Sequence, residues 1–225
     1  MNKGVIMNKT KKMLCATALA TSLATTPAVA GSDSFSGIFF DISSSAIGVE
    51  LDGNHNDNQS NVTTGVLGKF AIIGGVSLGY SLPLGDTFAI DVGASFVPGE
   101  AKITSDNALS SDVSFEVKDH QTFYIAPSIS LNESSAIYLK YGSSEADVAV
   151  TGDVTKPSNL DGETFAIGTK TLLNSAFYIK TEAGFTEYDQ ISSTGKGSTG
   201  GVSTGTTVTA DPTIAFGTVS IGLKF

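Results

Sequence analysis

The chain has 225 residues and a net charge of −9, from 13 basic and 22 acidic side chains. Every basic residue is a lysine, and this acidic balance excludes nucleic-acid binding, which requires a basic surface. No apolar run reaches the roughly 18 residues of a transmembrane helix, so a membrane-embedded form of this chain must cross with strands.

Residues 1–30 carry the pattern of a secretory signal peptide. Four lysines form a basic start, an Ala-rich apolar stretch follows, and Ala28-Val29-Ala30 supplies the small residues of a cleavage site. We predict cleavage after Ala30, which leaves one domain, residues 31–225, with a charge of −13 because the four lysines are removed. The only cysteine, Cys15, lies in the signal, so we expect no disulfide in the exported chain.

From about residue 35 onward, apolar and polar residues alternate with the period of two that is typical of β-strands. Phe70, Ile72 and Val76, for example, share one face, while Ser77 lies on the other. One flaw is Pro127, which cannot donate to a strand ladder. The pattern predicts eight strands, at approximately residues 35–51, 69–82, 88–96, 123–131, 137–142, 165–170, 177–185 and 218–225.

The predicted connections alternate in length. Such sorting is typical of an up-and-down barrel, in which long loops leave one rim and short turns leave the other. We therefore predict an eight-stranded antiparallel up-and-down transmembrane β-barrel, with both termini in the periplasm and four loops outside. The long segments are residues 52–65, 98–114, 147–162 and 189–212, and the short turns are residues 83–86, 132–135 and 173–175.

With the apolar face turned toward lipid, the polar face fills a narrow lumen. Charges enclosed there must pair or be hydrated. Two interpretations stay open: a structural plug in which Asp91 and Glu182 pair with lysines, or a narrow porin-like channel for ions or small solutes. The predicted charged residues of the lumen are Lys69, Asp91, Lys140, Lys170, Lys180, Glu182 and Lys224.

The signal ending Ala28-Val29-Ala30 and the closing segment Gly217–Phe225 resemble the small outer-membrane β-barrel superfamily of OmpA-type and OmpX-type proteins. The resemblance implies location in the outer membrane of a Gram-negative bacterium, with lipid and lipopolysaccharide as partners. We expect no periplasmic domain after Phe225. In that superfamily, the closing strand is the signal read by the barrel-assembly machinery. The matching residues are Val219, Ile221, Leu223 and Phe225.

No nucleotide, protease or EF-hand fingerprint occurs, and we expect no cofactor and no metal. We predict a non-enzymatic envelope protein with a structural role, or a surface protein that binds an extracellular ligand through its loops. A lipid A-modifying enzyme, with His55 or His120 as its base, is a distant alternative. A channel for hydrophobic solutes would need a lateral opening in the wall, for which Pro127 is a candidate site.

Overall fold

A computed structural model describes residues 31–56, 62–104, 114–151, 154–197 and 204–225. The predicted signal peptide, with Ala28 and Ala30, lies outside the described residues. No described helix is long and apolar enough to cross a membrane. The strands are β1 (Gly37–Asn56), β2 (Val62–Leu84), β3 (Phe88–Thr104), β4 (Ser114–Asn132), β5 (Ser135–Thr151), β6 (Leu160–Leu172), β7 (Phe177–Tyr188), β8 (Ile191–Thr194) and β9 (Thr207–Lys224).

Eight of these strands form a closed antiparallel barrel. Strands β1 to β7 pair in chain order, and β9 closes the barrel between β7 and β1. Strand β8 pairs with β9 and extends one rim. The predicted eight-stranded antiparallel barrel is therefore confirmed, and β8 is an addition to it.

The short turns follow β2, β4 and β6, as the sequence indicates. Gly85 in the first of them has a φ of +78°, a conformation that favours glycine. Beside this turn, a 3₁₀ turn at Ser32–Phe35 docks through the Ser32 amide, which donates to the Asp86 carbonyl at 2.9 Å. Because short turns face the periplasm in this fold, we place this end of the barrel there.

A band of large apolar side chains faces outward around the barrel. Ile72 is 73% exposed, Phe70 is 67% exposed and Phe123 is 65% exposed. An apolar surface of this extent is unfavourable in water. Facing lipid, it is the expected exterior of a membrane barrel.

The prediction of four long loops is wrong in extent, because most of the described residues in those segments are strand. Beyond the apolar band the polarity of the wall inverts: Val148 and Leu160 are buried inside the barrel, while Glu145 and Glu163 are exposed outside. Water covers the outer face at this height, so the apolar residues gather within. Seen in sequence alone, a strand with an acidic outer face resembles a polar loop.

Candidate binding site in the barrel lumen

Three ion pairs cross the middle of the lumen and form what we call the ion-pair layer. All six side chains are buried, and three carboxylates balance three ammonium groups. Burial of charge is costly unless the charges are paired, as they are in this layer. The pairs are Lys140–Glu182 (3.0 Å), Lys180–Asp41 (2.7 Å) and Lys170–Asp91.

Hydroxyl groups supply further hydrogen bonds to two of the carboxylates. Tyr138 Oη donates to Glu182 Oε2 at 2.9 Å. Tyr178 Oη donates to Asp41 Oδ2, also at 2.9 Å, and Ser77 Oγ donates to Asp41 Oδ1. These bonds hold both carboxylates in fixed positions next to their lysines.

Aromatic rings fill the space around the lysines. Lys140 Nζ lies 4.4 Å from the ring centroid of Tyr124, and Lys170 Nζ lies 4.8 Å from that of Phe39. Such cation–π contacts add attraction to the ion pairs. Because an eight-stranded barrel is only wide enough for side chains, this layer of rings and ion pairs obstructs the lumen at its level.

A row of hydroxyl groups lies on the inner wall above the ion-pair layer. Thr122, Ser144, Thr164 and Thr186 come from four consecutive strands, and their neighbouring oxygens are 2.6 to 2.8 Å apart. His120 Nε2 continues this hydroxyl row at 2.9 Å from Thr122 Oγ1. The row marks the level at which the interior changes from charged to apolar.

Above the hydroxyl row, the interior is apolar, and a cavity lies next to these apolar side chains. The cavity has a volume of about 90 Å³. Because one water needs roughly 10–15 Å³, the space holds several waters or part of a small ligand. Its floor is the ion-pair layer, and its apolar lining comes from Ile47, Ile73, Val97, Val117, Ile214 and Phe216.

The wall of the barrel opens beside this cavity, between β2 and β3. The two strands pair only from Val76–Phe96 down to Leu84–Phe88. Within the described residues, β2 above Val76 pairs with β1 alone, and β3 above Phe96 pairs with β4 alone. Val76 and Phe96 both face lipid, so the lower edge of this lateral opening lies in the apolar band.

Local sequence explains why the pairing stops there. Pro98 and Gly99 interrupt β3 with a bulge between Val97 and Glu100, and Gly99 has a φ of +131°. Strand β4 carries a matching irregularity at Asp119, whose φ is +51°. Bulges bend a strand and end its pairing, so β3 leaves β2 and continues along β4.

No protein-family model and no curated protein sequence matches the chain. Several solved structures are similar to the chain. OprG from Pseudomonas aeruginosa aligns over 84% of this chain and 96% of its own, at 14% identity and a TM-score of 0.57. The outer membrane protein AlkL aligns over 92% and 97%, at 14% identity and a TM-score of 0.50. The protease OmpT from Escherichia coli aligns over 91% and 99%, at 8% identity and a TM-score of 0.48.

The shared fold and the outward apolar band decide the class of protein. The chain has the fold of the small outer-membrane β-barrels. At 14% identity, the likeness to OprG and AlkL establishes the fold alone. The chemistry of this barrel must therefore be argued from its own lumen.

The structure brings five of the seven predicted lumen residues into the ion-pair layer. Lys224 lies apart at the periplasmic mouth, where its Nζ is 3.4 Å from the Ser36 carbonyl oxygen. The side chain of Lys69 lies outside the described residues. The closing residues Val219, Ile221 and Phe225 face outward, as their alternation indicates.

Sequence reasoning missed Asp41 and misplaced the opening. Asp41 belongs to the strand with the weakest alternation, so its inward direction could not be assigned. Pro127 pairs with Ile90 of β3, and the β4–β5 ladder skips Pro127 but resumes in the same register at Ser128–Tyr138, so the wall is continuous there. Two signals pointed to the true position: Pro98-Gly99, and the run Phe70–Ile73, which is apolar on both faces.

Proposed function

We propose that the barrel carries small apolar molecules from the cell surface into the outer membrane. In this scheme a molecule enters the upper lumen, occupies the cavity and leaves sideways through the lateral opening. The observation that supports this most strongly is the unpaired wall between β2 and β3, located beside an apolar cavity that has a closed floor.

The backbone along the opening supports this role. Unpaired amide and carbonyl groups are costly in lipid unless they border protein or a filled cavity. Below Val76 and Phe96 the same two strands pair without interruption, so they are able to form a ladder with each other. The energetic cost of leaving the backbone groups above this point unpaired is consistent with a passage there.

The ion-pair layer argues against the alternative of a porin-like channel. An open pore needs a continuous water path, whereas three paired lysines and their aromatic neighbours cross this lumen. A closed floor would direct a solute sideways rather than into the periplasm.

A second candidate function, surface recognition, is favoured by the part of the barrel above the apolar band. Its outer face is acidic and rigidly held by paired strands; Glu163 and Glu187 are direct register neighbours and both are exposed. Such a surface suits a cationic extracellular ligand or divalent ions bridging lipopolysaccharide. We also propose assembly through the barrel-assembly machinery, with Phe225 at the end of the recognised strand.

We propose a non-enzymatic role for the histidines. His120 packs edge-on against Tyr188, with ring centroids 6.0 Å apart, and its Nε2 is hydrogen-bonded to Thr122. These contacts fix the ring in the wall of the cavity. The side chain of His55 lies outside the described residues.

A reversible disulfide at the lower edge of the opening, one position above the last β2–β3 pair, tests transport. A Cβ built on Gly75 would lie 3.1 Å from Val97 Cγ2, so Gly75→Cys/Val97→Cys is placed to cross-link β2 to β3. The assay follows a small apolar dye, which fluoresces in lipid, into vesicles with a lipopolysaccharide outer leaflet. We expect the oxidised variant to lose most of the barrel-dependent uptake and to regain it on reduction.

The matched control is Leu78→Cys/Ala94→Cys, which joins the same strands where they are already paired. Oxidation of this control should leave the rate of uptake unchanged. If the Gly75→Cys/Val97→Cys barrel takes up the dye equally fast in both redox states, the proposed lateral route is wrong.

A further inference from the structure

The cavity above the ion-pair layer has one polar end and one apolar end. Hydroxyls such as Thr122 and Thr164 border its lower end, together with the Ser45–Thr218 pair, whose oxygens are 2.7 Å apart. Its upper end is apolar, with Phe216, Ile73 and Val97, while the rim next to the β3 bulge carries charged side chains. A ligand that matches both ends needs one polar head and an apolar chain.

We propose that this site selects a neutral amphiphile, an alkyl chain with a single hydroxyl head. The head lies on the hydroxyl row, and the chain extends past Phe216 toward the opening. This inference rests on the proposed function, for which it names the class of molecule.

The hydroxyl row favours a head that both donates and accepts hydrogen bonds. Each hydroxyl has one donor and two acceptor lone pairs. In the row, Thr122 and Thr164 each bond to neighbouring hydroxyls, and every one of these bonds can run in either direction. An alcohol can therefore insert as a further member, whereas an alkane leaves the polar end unmatched.

The charge balance of the floor disfavours an anionic head. Each of Lys140, Lys170 and Lys180 already has a carboxylate partner. Among the described side chains of the floor, a carboxylate ligand would thus meet ammonium groups that are neutralised. Its loss of hydration would be poorly compensated.

The rim of the cavity repels anions as well. Glu100, Lys118 and Asp119 line it next to the β3 bulge. Of these three described residues, two are acids and one is a base, and Lys118 Nζ lies 3.0 Å from both Glu100 and Glu116. The resulting negative potential lowers the local concentration of an anionic amphiphile.

Tryptophan fluorescence can test the orientation, because the chain contains no tryptophan. Phe216→Trp places a reporter at the apolar end of the cavity, and Phe123→Trp places a control reporter on the lipid-facing surface. The probes are ω-bromooctanol, its isomer brominated next to the hydroxyl, ω-bromooctanoate and octyl bromide, added to the barrel in lipid bilayers. Bromine quenches tryptophan at short range, and quenching of the control reports the probe concentration in lipid.

We expect ω-bromooctanol to quench the cavity reporter saturably, and the isomer brominated near its head to quench it much less. When concentrations in lipid are matched by equal quenching of the control reporter, half-saturation of the cavity reporter should require roughly two- to tenfold more octyl bromide than ω-bromooctanol. It should require at least about tenfold more ω-bromooctanoate. The double variant Glu100→Gln/Asp119→Asn should improve octanoate binding at low salt and leave octanol binding unchanged; Asn keeps the left-handed conformation of residue 119.

The inference is overturned if the two alcohol isomers quench the cavity reporter equally, or if octanoate or octyl bromide binds as well as the alcohol. It is equally overturned if quenching follows the control reporter without saturation, which would mean that no bound amphiphile occupies the cavity. Ile73→Trp is a second reporter should Phe216→Trp fail to fold. The failure of the proposed function is separate: saturable, head-selective binding combined with uptake that ignores the disulfide would refute transport and leave the binding site standing.

Discussion

The ion-pair layer makes a quantitative prediction through Asp41. Its carboxylate accepts hydrogen bonds from Lys180, Tyr178 and Ser77, and it is 1% exposed. Asp41→Asn removes the negative charge but leaves the Lys180 ammonium buried. Breaking a buried pair in this way costs about 3–5 kcal/mol.

The same physics predicts that the loss is largely reversed by a second change. Asp41→Asn/Lys180→Met removes both charges and keeps a chain of similar length in the layer, and replacing a whole buried pair by apolar groups is often neutral. We expect the double variant to recover most of the lost stability. This coupling is the signature of a buried, desolvated pair.

Urea unfolding of the barrel in lipid vesicles measures each free energy. Glu100→Gln, which breaks a contact to the solvent-accessible Lys118, is the control and should have a far smaller effect, since exposed pairs contribute little. The reasoning is refuted if Asp41→Asn is no more destabilising than Glu100→Gln. It is also refuted if the free energy lost in the double variant equals the sum of the losses in the single variants Asp41→Asn and Lys180→Met.

Three further predictions concern packing, assembly and conductance. Gly222→Ala should destabilise the barrel by about 1–3 kcal/mol, because its Cβ would lie 2.1 Å from the Tyr178 ring. A Cβ at Gly217 in the same strand meets nothing within 4 Å, so Gly217→Ala should leave the free energy of unfolding unchanged in the same urea titration. Phe225→Ser should reduce the heat-modifiable, folded form recovered from outer membranes while leaving refolding of the purified chain into detergent unchanged; equal recovery of both proteins would contradict a role in assembly. The purified barrel in planar bilayers should show no discrete openings over a wide voltage range, and stepwise ion currents would contradict an obstructed lumen.

Strand direction could be predicted from sequence where one face is uniformly apolar. In β2, the alternation of Val76, Leu78 and Tyr80 with Ser77 and Ser81 assigns the outward face directly. The same alternation predicts that Lys140 and Glu182 point into the lumen, where they form an ion pair. A period of two is sufficient for this, because it is a property of each strand alone.

The pairing partners and the opening could not be predicted, for physical reasons. Asp41 is preceded by Phe39, which is also buried inside the barrel, so β1 has apolar residues on both faces and its parity is ambiguous. The acidic strands above the membrane resemble loops, because their apolar face is short and points inward. The opening depends on which strands pair across the barrel, a long-range property that Pro98-Gly99 signals only locally.

Backbone hydrogen exchange in lipid bilayers tests the open wall most directly. Between Phe70 and Gly75, amides that point toward β1 are paired, and the alternating ones point into the opening. We predict slow and fast exchange at alternate residues there, and uniform protection from Val76 to Ser81, where β2 is paired on both sides. Uniform protection from Phe70 onward would mean that β2 and β3 are paired in the membrane, and would contradict the lateral opening.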